Sequence, residues 1–283
     1  MQSKIQTVKT LLDALPYIQK FRDDIIVIKY GGSAQTSTEL KAKFAQDIAM
    51  LQSVGMKPVV VHGGGKSITN LLNELNIDTE FIDGQRVTTK EVMRIAEMVL
   101  SGEVNKDIVS LLNSQGAKAI GISGKDANFL RAVAKDESKF GYTGVINEID
   151  PSIIYSILDD NLVPVIAPIA AGNNIGDPGF NINADLAASK IAVALKARKI
   201  LFLTDTPGVL DKEKNLIQTL NLQKTKELKE DKTIIGGMVP KVDACVEALR
   251  GGVKKAHIID GRVEHSILLE ILTSSGIGTC ISL

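Results

Sequence analysis

The sequence is poor in the residues that build disulfide frameworks, zinc sites and membrane spans. Two of its 283 residues are cysteines, and the spacing of Cys245 and Cys280 is not typical of a metal site or a disulfide framework. Such cysteine usage fits a reducing, cytoplasm-like compartment. The three histidines are too scattered for a zinc site. No apolar stretch approaches the roughly 20 residues that cross a membrane, so no membrane span is expected.

An excess of charge of either sign is missing as well. Lysine plus arginine and aspartate plus glutamate both total 33, so the net charge is zero. Nucleic acids and anionic membranes favour a basic excess in the proteins that bind them, so neither is expected as the main partner. With 44% hydrophobic residues, the chain is long enough to bury a full core, either as one large α/β domain or as two lobes.

Two common phosphate-binding motifs are also absent. The Walker A motif has a glycine five residues before the glycine of its Gly-Lys-Ser; here Gly65 begins such a triplet, but Val60 stands at the earlier position. The dinucleotide-binding fingerprint fails too, because Ile68 follows Gly63 and Gly65 where the third glycine belongs. A phosphate site in this chain therefore needs another architecture.

What the chain does have is two apolar strands that each run into glycines. The β-branched run Ile25–Ile28 leads into Lys29–Gly32, and the run Pro58–Val61 leads into His62–Gly65. Such runs are typical of strands buried on both faces of a parallel sheet. Glycines leave backbone N–H groups open to a close-lying anion. Since ligands of open α/β sheets bind at the carboxyl ends of strands, both glycine-rich turns are expected to face one ligand.

The rest of the chain continues the alternation of strands and helices. Helices are predicted over Thr38–Val54 and over Lys90–Leu100 and Val104–Leu112, the last two broken at Gly102. This order predicts an α/β fold with an open, mainly parallel central sheet sandwiched by helices. The glycine- and asparagine-rich stretch near Ile169–Phe180 is the expected boundary between two lobes.

An amphipathic helix precedes the first strand. Apolar residues recur there at three- and four-residue spacing from Ile5 to Phe21, and Pro16 is expected to kink the helix. The segment lacks the continuous apolar region of a secretory signal. Two interpretations stay open: the helix packs on its own domain, or it packs on another subunit.

A second helix start carries a carboxylate. Asn183 or Asn181 is the predicted N-cap of a helix over Leu186–Lys196, which puts Asp185 in the first turn. An aspartate at that place stabilises the helix dipole. The alternative is a functional one, in which the carboxylate lies between two lysines and orients them.

Other polar residues at strand ends and turns also allow two interpretations. Lys29 follows a buried strand and Lys241 follows a glycine hinge, so each is either a surface lysine or a cation directed at an anion. Arg86 beside a turn is either a surface residue or a bidentate clamp for a substrate carboxylate. Asp205, after a buried strand, either forms a turn or contacts a nucleotide.

Six motifs then follow one another along the chain. They are Lys29-Tyr30-Gly31-Gly32-Ser33, Val61-His62-Gly63-Gly64-Gly65, Asp83-Gly84-Gln85-Arg86-Val87-Thr88, Asn181-Ile182-Asn183-Ala184-Asp185, Leu203-Thr204-Asp205 and Gly236-Gly237-Met238-Val239-Pro240-Lys241. In this order they resemble the amino acid kinase family over nearly the whole chain, from Ile25 to Leu283. The first two motifs are shared with aspartokinase, carbamate kinase, glutamate 5-kinase and UMP kinase. The Arg86 and Asn181 motifs resemble the members that phosphorylate N-acetyl-L-glutamate. The helix before Ile25 and the C-terminal stretch from Glu264 to Thr279 resemble those of the arginine-sensitive type.

The resemblance implies a phosphoryl transfer from ATP, with Mg²⁺, to the side-chain carboxylate of N-acetyl-L-glutamate, the second step of arginine biosynthesis. A carboxylate with a pKa of about 4.3 is ionised near neutral pH, so no general base is needed. Positioning and charge stabilisation then carry the catalysis. Two alternatives remain: a kinase for the one-carbon-longer acetylaminoadipate, and a non-catalytic nucleotide or arginine sensor on the same fold.

The resemblance also implies roles for individual residues. The implied catalytic residues are Lys29, Lys241, Asp185, Gly32 and Gly65. The implied substrate-binding residues are Gly64, Gly65, Arg86, Asn181 and Asn183. The implied nucleotide-binding residues are Lys29, Gly31, Thr204, Asp205, Gly208, Leu210, Ile235, Gly236, Gly237 and Lys241. Mg²⁺ bridges the ATP phosphates, and no protein residue is assigned as its ligand.

Regulation and assembly are implied in the same way. Residues 1–24 resemble an N-terminal extension that links dimers into a hexamer, a trimer of dimers. Residues 25–175 are expected to bind acetylglutamate, and residues 176–283 to bind ATP and the inhibitor L-arginine. The candidates for the arginine site are Tyr17, Lys196, Glu270 and Gly276. A PII-type signalling protein is a further candidate partner, and the expected location is the cytoplasm, or the plastid stroma for a plastid-encoded chain.

Overall fold

The secondary structure follows the predicted alternation of buried strands and helices. The computed structural model describes residues 1–35, 37–82 and 84–283, without the side chains of residues 2, 3, 33 and 34. Asp83 and the side chain of Ser33, which belong to two of the motifs, lie outside this description. The α-helices are α1 Gln2–Phe21, α2 Thr38–Ser53, α3 Gly65–Glu74, α4 Lys90–Glu97, α5 Asn105–Ser114, α6 Glu137–Phe140, α7 Ser152–Asp159, α8 Ala184–Ala194, α9 Leu222–Glu230, α10 Met238–Arg250 and α11 Ser266–Leu272. The strands are β1 Ile25–Tyr30, β2 Lys57–His62, β3 Phe81–Ile82, β4 Gln85–Arg86, β5 Ala119–Ser123, β6 Leu130–Ala134, β7 Gly144–Ile149, β8 Val163–Ala167, β9 Ile169–Ala170, β10 Phe180–Asn181, β11 Lys199–Thr204, β12 Thr219–Asn221, β13 Lys255–Asp260 and β14 Thr279–Ser282.

One eight-stranded sheet runs through the molecule in the order β12-β14-β13-β11-β1-β2-β8-β5. The pairs from β13 to β5 are parallel, and the antiparallel pairing of β14 with β13 reverses the direction at one side. Smaller antiparallel pairs, among them β6 with β7 and β9 with β10, lie outside the main sheet. The predicted open, mainly parallel sheet is confirmed.

Helices cover both faces of the sheet because the strand side chains alternate between them. Val27 packs with α7, α8 and α10 on one face, whereas Ile26 and Ile28 pack with α2 to α5 and α11 on the other. All three side chains are buried. Strands buried on both faces are therefore apolar at every position rather than at alternate ones.

The predicted helix break at Gly102 is wrong. The chain continues from α4 through a π-helical segment, Met98–Val104, directly into α5. Gly102 lies inside that segment, where the wider π turn absorbs the irregularity without ending the helix.

The crevice between β1 and β11 is the main topological feature for a ligand. The two strands are paired, yet the chain leaves β1 towards β2 on one side and leaves β11 towards β13 on the other. The connections therefore diverge and open a crevice at the carboxyl ends of the strands. The glycine-rich turn after Tyr30 and the segment after Thr204 meet at this edge.

Helix α1 extends from the domain with much of its apolar side in solvent. Its first turns carry Ile5, Val8 and Leu11, each at least half exposed, while Phe21 at its end is buried. Among the described residues, no helix is both long enough and apolar enough to span a membrane.

Candidate active site

Two lysines from distant parts of the chain meet on one carboxylate. Lys29 is near the end of β1 and its Nζ lies 2.9 Å from Oδ1 of Asp185. Lys241, in the first turn of α10, donates a hydrogen bond of 2.9 Å to Oδ2 of the same residue. Asp185 therefore bridges two ammonium groups at the carboxyl edge of the sheet. The predicted convergence of these three residues is present in the structure.

Local structure holds the Asp185 carboxylate in place. Asn183 is the N-cap of α8, and its Oδ1 accepts hydrogen bonds from the backbone N–H groups of Asp185 and Leu186. Of the two predicted caps, Asn183 takes the role, and Asp185 lies in the first turn as expected. Its side chain is 8% exposed. The helix start alone favours a negative charge, and the two lysines add to the same field.

The electrostatics keep Asp185 ionised. Burial by itself raises the pKa of this carboxyl, but the ammonium groups of Lys29 and Lys241 outweigh it, so the net pKa lies below its usual value. Two ammonium groups and one carboxylate have a net charge of +1, so the site attracts an anion.

The two glycine-rich turns lie against each other beside this triad. A side chain at Gly31 would place its Cβ 2.9 Å from the Nζ of Lys29, and one at Gly63 would lie 3.9 Å from the Cα of Gly31. The Gly63 N–H also donates a 2.8 Å hydrogen bond to the carbonyl oxygen of Tyr30. Glycine at position 31 therefore leaves the room that the Lys29 side chain occupies.

The other glycines of the turns differ in their surroundings. A Cβ at Gly32 or at Gly65 would meet no atom within 4 Å, so both turns are open there. Gly32 also has a φ of +67°, which favours glycine, and it lines a neighbouring cavity of about 510 Å³. At Gly64 a Cβ would come within 2.5 Å of Leu100. Gly64 therefore allows close packing against the π-helical segment. This packing role is separate from the substrate role that the resemblance implies.

Arg86 is buried and joins the β3–β4 hairpin to the glycine turn. Its guanidinium donates to the carbonyl oxygen of Gly65 at 2.9 Å and to the hydroxyl groups of Thr69 and Thr79 at 2.7 and 3.0 Å. The guanidinium carbon also lies 4.6 Å from the centre of the Phe81 ring. Arg86 is 6% exposed, which excludes the interpretation as a surface arginine.

One cavity brings Lys29 and Asp185 together with most of the predicted substrate residues, whereas Lys241 and Gly64 are not among its lining residues. It has a volume of about 220 Å³ and is bounded by residues from both glycine turns, the hairpin and the start of α8. The residues that line it are Lys29, Gly63, Gly65, Ile68, Phe81, Gly84, Gln85, Arg86, Leu100, Thr143, Pro168, Asn181, Ile182, Asn183, Ala184 and Asp185. Asn181 is held there by a 3.2 Å hydrogen bond from its amide to the Thr88 hydroxyl. No motif pointed to Thr143, whose hydroxyl donates to the Arg86 carbonyl oxygen.

The first group of predicted nucleotide residues lies at the end of β11 and in the segment that follows it. Thr204 ends β11 and is buried, and its hydroxyl donates to Asp205 at 3.3 Å. Gly208 packs closely, since a Cβ there would lie 2.5 Å from the Thr279 hydroxyl. Leu210 pairs with Leu216 in an isolated bridge.

The second nucleotide segment precedes Lys241. Ile235 is 64% exposed, and a Cβ at Gly236 or Gly237 would meet nothing within 4 Å. This open, apolar and glycine-rich segment leads directly into α10. Among the described residues, none form a group of three or more His, Cys, Asp or Glu that could hold a metal ion.

A separate cavity of about 450 Å³ lies between the end of α1 and the first residues of β11 and β13. Tyr17, Glu270 and Gly276 line it together, whereas Lys196 is not among the lining residues. Sequence patterns did not indicate His257, whose Nδ1 lies 2.6 Å from Oε1 of Glu270. Burial lowers the pKa of His257, but hydrogen bonds and charge from the neighbouring Cys280 and Glu270 outweigh this effect, so the net pKa is above its usual value.

Comparison with known proteins assigns the chain to a family of kinases. The sequence profile of the amino acid kinase family matches residues 24–260. The chain therefore belongs to the amino acid kinase family, as the motifs indicated. Carbamate kinase from Giardia lamblia bound to AMP-PNP shares the fold at a TM-score of 0.68, with 19% identity, over 92% of this chain and 98% of that protein.

Within the family, the chain is most informatively compared with proteins named acetylglutamate kinase. That of Sulfurovum sp. (strain NBC37-1) is 74% identical over 100% of both chains. That of a Nitratiruptor species is 71% identical over 99% of this chain and 98% of the relative. The resemblance drawn from the motifs is confirmed.

Two solved structures with higher identity than the carbamate kinase are complexes of a synthase. N-acetylglutamate synthase from Neisseria gonorrhoeae, complexed with coenzyme A and N-acetyl-glutamate, superposes at a TM-score of 0.86 with 27% identity over 98% of this chain. The present chain spans 63% of the length of that synthase. The same synthase complexed with coenzyme A and L-arginine superposes at 0.83 with 26% identity, over 97% of this chain and 65% of that one.

Proposed function

We infer that this chain is an acetylglutamate kinase, which transfers the γ-phosphoryl group of ATP to the side-chain carboxylate of N-acetyl-L-glutamate. The observation that carries this inference is the pair of ammonium groups, from Lys29 and Lys241, that Asp185 fixes beside a small cavity lined by Lys29 and Asp185. High identity to proteins of that name over the full chain supports the substrate.

The difficulty of this reaction is electrostatic. The nucleophile is a carboxylate that is already ionised at neutral pH, so the site needs no general base. It must instead bring a carboxylate and a triphosphate together and stabilise the charge of the phosphoryl group in transit. Lys29 and Lys241 supply that charge, and Asp185 holds them apart and in place. Mg²⁺ enters with ATP as part of the substrate, bound by phosphate oxygens.

The glycine turns supply neutral donors to the same group. Gly32 and Gly65 are open at their Cα atoms, so an anion can approach their backbone N–H groups closely. Gly65 also begins α3, whose N-terminus favours negative charge. We assign the phosphoryl oxygens to these two N–H groups, with the turn glycines Gly31 and Gly64 shaping the approach.

Acetylglutamate would occupy the 220 Å³ cavity between the triad and the hairpin. Its α-carboxylate is the group that the buried Arg86 guanidinium recognises. Asn181 and Asn183 line the same cavity and offer amide groups to the acetamido substituent. This places the side-chain carboxylate of the substrate toward Lys29.

ATP would lie across the crevice, over Thr204 to Leu210 and Ile235 to Gly237. The diverging connections after β1 and β11 support this position, as does the exposed apolar Ile235 beside two open glycines. In this arrangement residues 25–175 hold acetylglutamate and residues 176–283 hold ATP, although one sheet continues through both parts.

Regulation and assembly form the second part of the proposal. L-arginine would bind in the 450 Å³ cavity, its guanidinium facing Glu270, with Tyr17 and Gly276 beside it. Lys196 lies outside that cavity and would act at its approach. The exposed apolar side of α1 supports a role of residues 1–24 in joining dimers into a hexamer. A cytoplasmic location and a PII-type partner complete the proposal, with two free cysteines in accord with a reducing compartment.

One assay tests the function and its alternatives. The acyl phosphate product reacts with hydroxylamine to a hydroxamate, which is measured together with ADP release in the presence of MgATP. We expect turnover with acetylglutamate above that with acetylaminoadipate, a difference of one methylene that corresponds to about 1–3 kcal/mol. Preference for the longer acid would overturn the substrate, and no turnover with either would favour a sensor. Addition of L-arginine to the same assay tests the inhibition.

A further inference from the structure

A chain of hydrogen-bonded polar side chains, buried except at Lys106, lies beneath the second glycine turn, and none of the phosphoryl or substrate contacts assigned above involves it. It consists of His62, Asn105 and Lys106, and it ends on the Gly121 carbonyl oxygen of β5. His62 and Asn105 are both fully buried. Buried polar groups are costly unless their hydrogen bonds are satisfied, so this chain needs a reason to be there.

The orientation of the Asn105 amide follows from its neighbours. Its Oδ1 lies 3.0 Å from Nζ of Lys106, which can only donate, so that atom is an acceptor. Its Nδ2 lies 2.9 Å from the Val165 carbonyl oxygen, which can only accept, so that atom is a donor. The same Nδ2 lies 3.1 Å from Nε2 of His62.

The tautomer of His62 follows from the orientation of Asn105. Because Nδ2 of Asn105 donates to Nε2, that ring nitrogen carries no proton. A neutral imidazole then has its proton on Nδ1, which donates at 2.9 Å to the carbonyl oxygen of Gly63. Burial, together with the charge of Lys106, lowers the pKa of His62 to about 4, against the opposing hydrogen bond to Gly63, so the ring is neutral near pH 7.

This hydrogen bond orients the peptide group between Gly63 and Gly64. In a trans peptide the C=O and the following N–H point in opposite directions. Holding the Gly63 carbonyl oxygen on His62 therefore points the Gly64 N–H in the opposite direction and fixes the peptide unit that leads into Gly65, whose N–H is assigned to the phosphoryl group. Leu100 of the π-helical segment occupies the space beside Gly64, since a Cβ added there would come within 2.5 Å of it. That segment leads directly into Asn105, so one irregular turn supports the glycine turn at two points.

The space for Asn105 is also specific. A Cβ at Gly121 would lie 1.8 Å from Oδ1 of Asn105 and 2.9 Å from Nζ of Lys106. Since real Cβ atoms do not come so close, glycine at position 121 makes room for the amide. Three separate elements, β2, α5 and β5, therefore accommodate the same polar chain.

We propose that His62 and Asn105 are positioning residues for phosphoryl transfer, in which Asn105 selects the Nδ1-protonated tautomer of His62 and His62 aligns the glycine turn toward the transferred group. The kinetic consequence rests on the proposed function, because it assigns phosphoryl contacts to this turn. The tautomer itself does not depend on that function.

Nuclear magnetic resonance of the imidazole nitrogens tests the tautomer. The chain has three histidines, so few signals overlap, and the His62 signal is the one that disappears in His62→Asn. We expect a neutral ring with its proton on Nδ1 near pH 7. In the isosteric variant Asn105→Asp, a carboxylate faces Nε2 and accepts a proton there, so the signal should change to the Nε2-protonated or the doubly protonated form. An Nε2-protonated ring in the unaltered chain would overturn the proposal.

A matched pair of substitutions tests the effect on turnover. His62→Asn keeps an amide donor near the Nδ1 position, whereas His62→Gln keeps an acceptor near the Nε2 position and has no donor for Gly63. We expect His62→Gln to lower kcat at least ~10-fold with both KM values changed less, and His62→Asn to stay within about 3-fold of the unaltered enzyme, since a misdirected donor loses transition-state stabilisation. Asn105→Asp should follow His62→Gln if its ring is protonated on Nε2 alone, and should stay with His62→Asn if the ring is doubly protonated, because the Nδ1 donor to Gly63 is then kept.

The outcomes separate this proposal from the proposed function. An active enzyme whose kcat is the same in His62→Gln and in the unaltered chain would refute the positioning role. An equal loss of kcat in His62→Asn and His62→Gln, in proportion to their loss of thermal stability, would refute it too. A purely structural role of His62 predicts that correlation. If the unaltered chain does not phosphorylate acetylglutamate, the proposed function fails, and the tautomer measurement still decides the arrangement of His62.

Discussion

Replacing Asp185 by asparagine removes one charge from the centre of the site and almost no volume. In the unaltered chain the carboxylate lies 2.9 Å from the ammonium groups of both Lys29 and Lys241. Asparagine cannot neutralise two cations, so the variant leaves two positive charges close together and partly buried. We expect both a less stable protein and a slower enzyme.

The magnitude follows from distance and burial. At 2.9 Å and an effective dielectric constant of about 20, each ion pair has a Coulomb energy of about 6 kcal/mol before desolvation is subtracted. Desolvation removes much of this, and deleting one partner of a buried pair costs about 3–5 kcal/mol in measured cases. We therefore expect the free energy of unfolding to fall by about 3 kcal/mol near pH 7.

The pH dependence has a definite sign. The folded-state pKa of Asp185 is lowered, because its two lysines outweigh the effect of burial. Its contribution is therefore fully present above the unfolded-state pKa of about 3.9, and it is lost as the pH falls through the folded-state value. The difference in stability between the unaltered chain and Asp185→Asn should be constant at neutral pH and shrink only below about pH 4.

A matched control is available on the same two helices. Glu247 of α10 pairs with Lys190 of α8 at 2.7 Å, but both side chains are at least 34% exposed. Glu247→Gln should change the unfolding free energy by less than about 1 kcal/mol and leave kcat unchanged. Urea denaturation measures stability, and the hydroxamate assay measures turnover, where Asp185→Asn should lower kcat at least ~100-fold.

The buried ion pairs of Asp185 are expected to contribute more to stability than the exposed pair of Glu247. A loss of stability in Asp185→Asn that equals that of Glu247→Gln would show that the buried charges are solvated. A normal kcat with reduced stability would show that Asp185 only supports the fold. An increase in the KM for ATP alone would place the lysines on the nucleotide rather than on the transferred group.

The remaining predictions concern the lysines, the clamp, the helix α1 and the buried histidine. Lys29→Ala and Lys241→Ala should each lower turnover at least ~100-fold in the hydroxamate assay, and near-normal rates in either would refute its role. Arg86→Lys loses the bidentate fork and should raise the KM for acetylglutamate roughly 10-fold with a smaller change in kcat; an unchanged KM would reject the clamp. Deletion of residues 1–22 should keep turnover but lower the number of subunits per oligomer, as measured by light scattering. A hexamer that persists after the deletion would exclude the linking role. His62 has a folded-state pKa lowered to about 4, so its contribution is full above about pH 6.5 and falls by up to about 3 kcal/mol toward pH 4. His62→Asn should flatten this part of the stability profile, and an unchanged slope would contradict the cause.

Local pattern was enough for most of the architecture. The apolar run Ile25–Ile28 predicted a strand buried on both faces, and β1 Ile25–Tyr30 is one. Thr38–Val54 predicted a helix, and α2 is Thr38–Ser53. Such elements depend on side-chain periodicity and on residues within a few positions, so the sequence contains the signal directly. The predicted helix break at Gly102 was wrong, because the residue lies in a π-helical turn that continues the helix instead of ending it.

The motif order also determined the family, and with it the set of residues to examine. Resemblance assigned Lys29, Asp185 and Lys241 to one function, and in the structure both lysines lie 2.9 Å from the Asp185 carboxylate. These residues are far apart along the chain. Their contact depends on how the sheet places β1 beside α8 and α10, which periodicity does not describe.

Only the tertiary structure decided what surrounds those residues. It shows that Leu100 leaves little room for a side chain at Gly64, that Arg86 is buried between a glycine turn and a hairpin, and that the Asn105 amide contacts the His62 ring. Each of these facts depends on side chains from distant elements competing for one volume. The sequence by itself determined the strands, the helices, the glycine turns and the family. Packing between elements decided which polar atoms meet, because contacts between residues far apart in the chain leave no periodic pattern in the sequence.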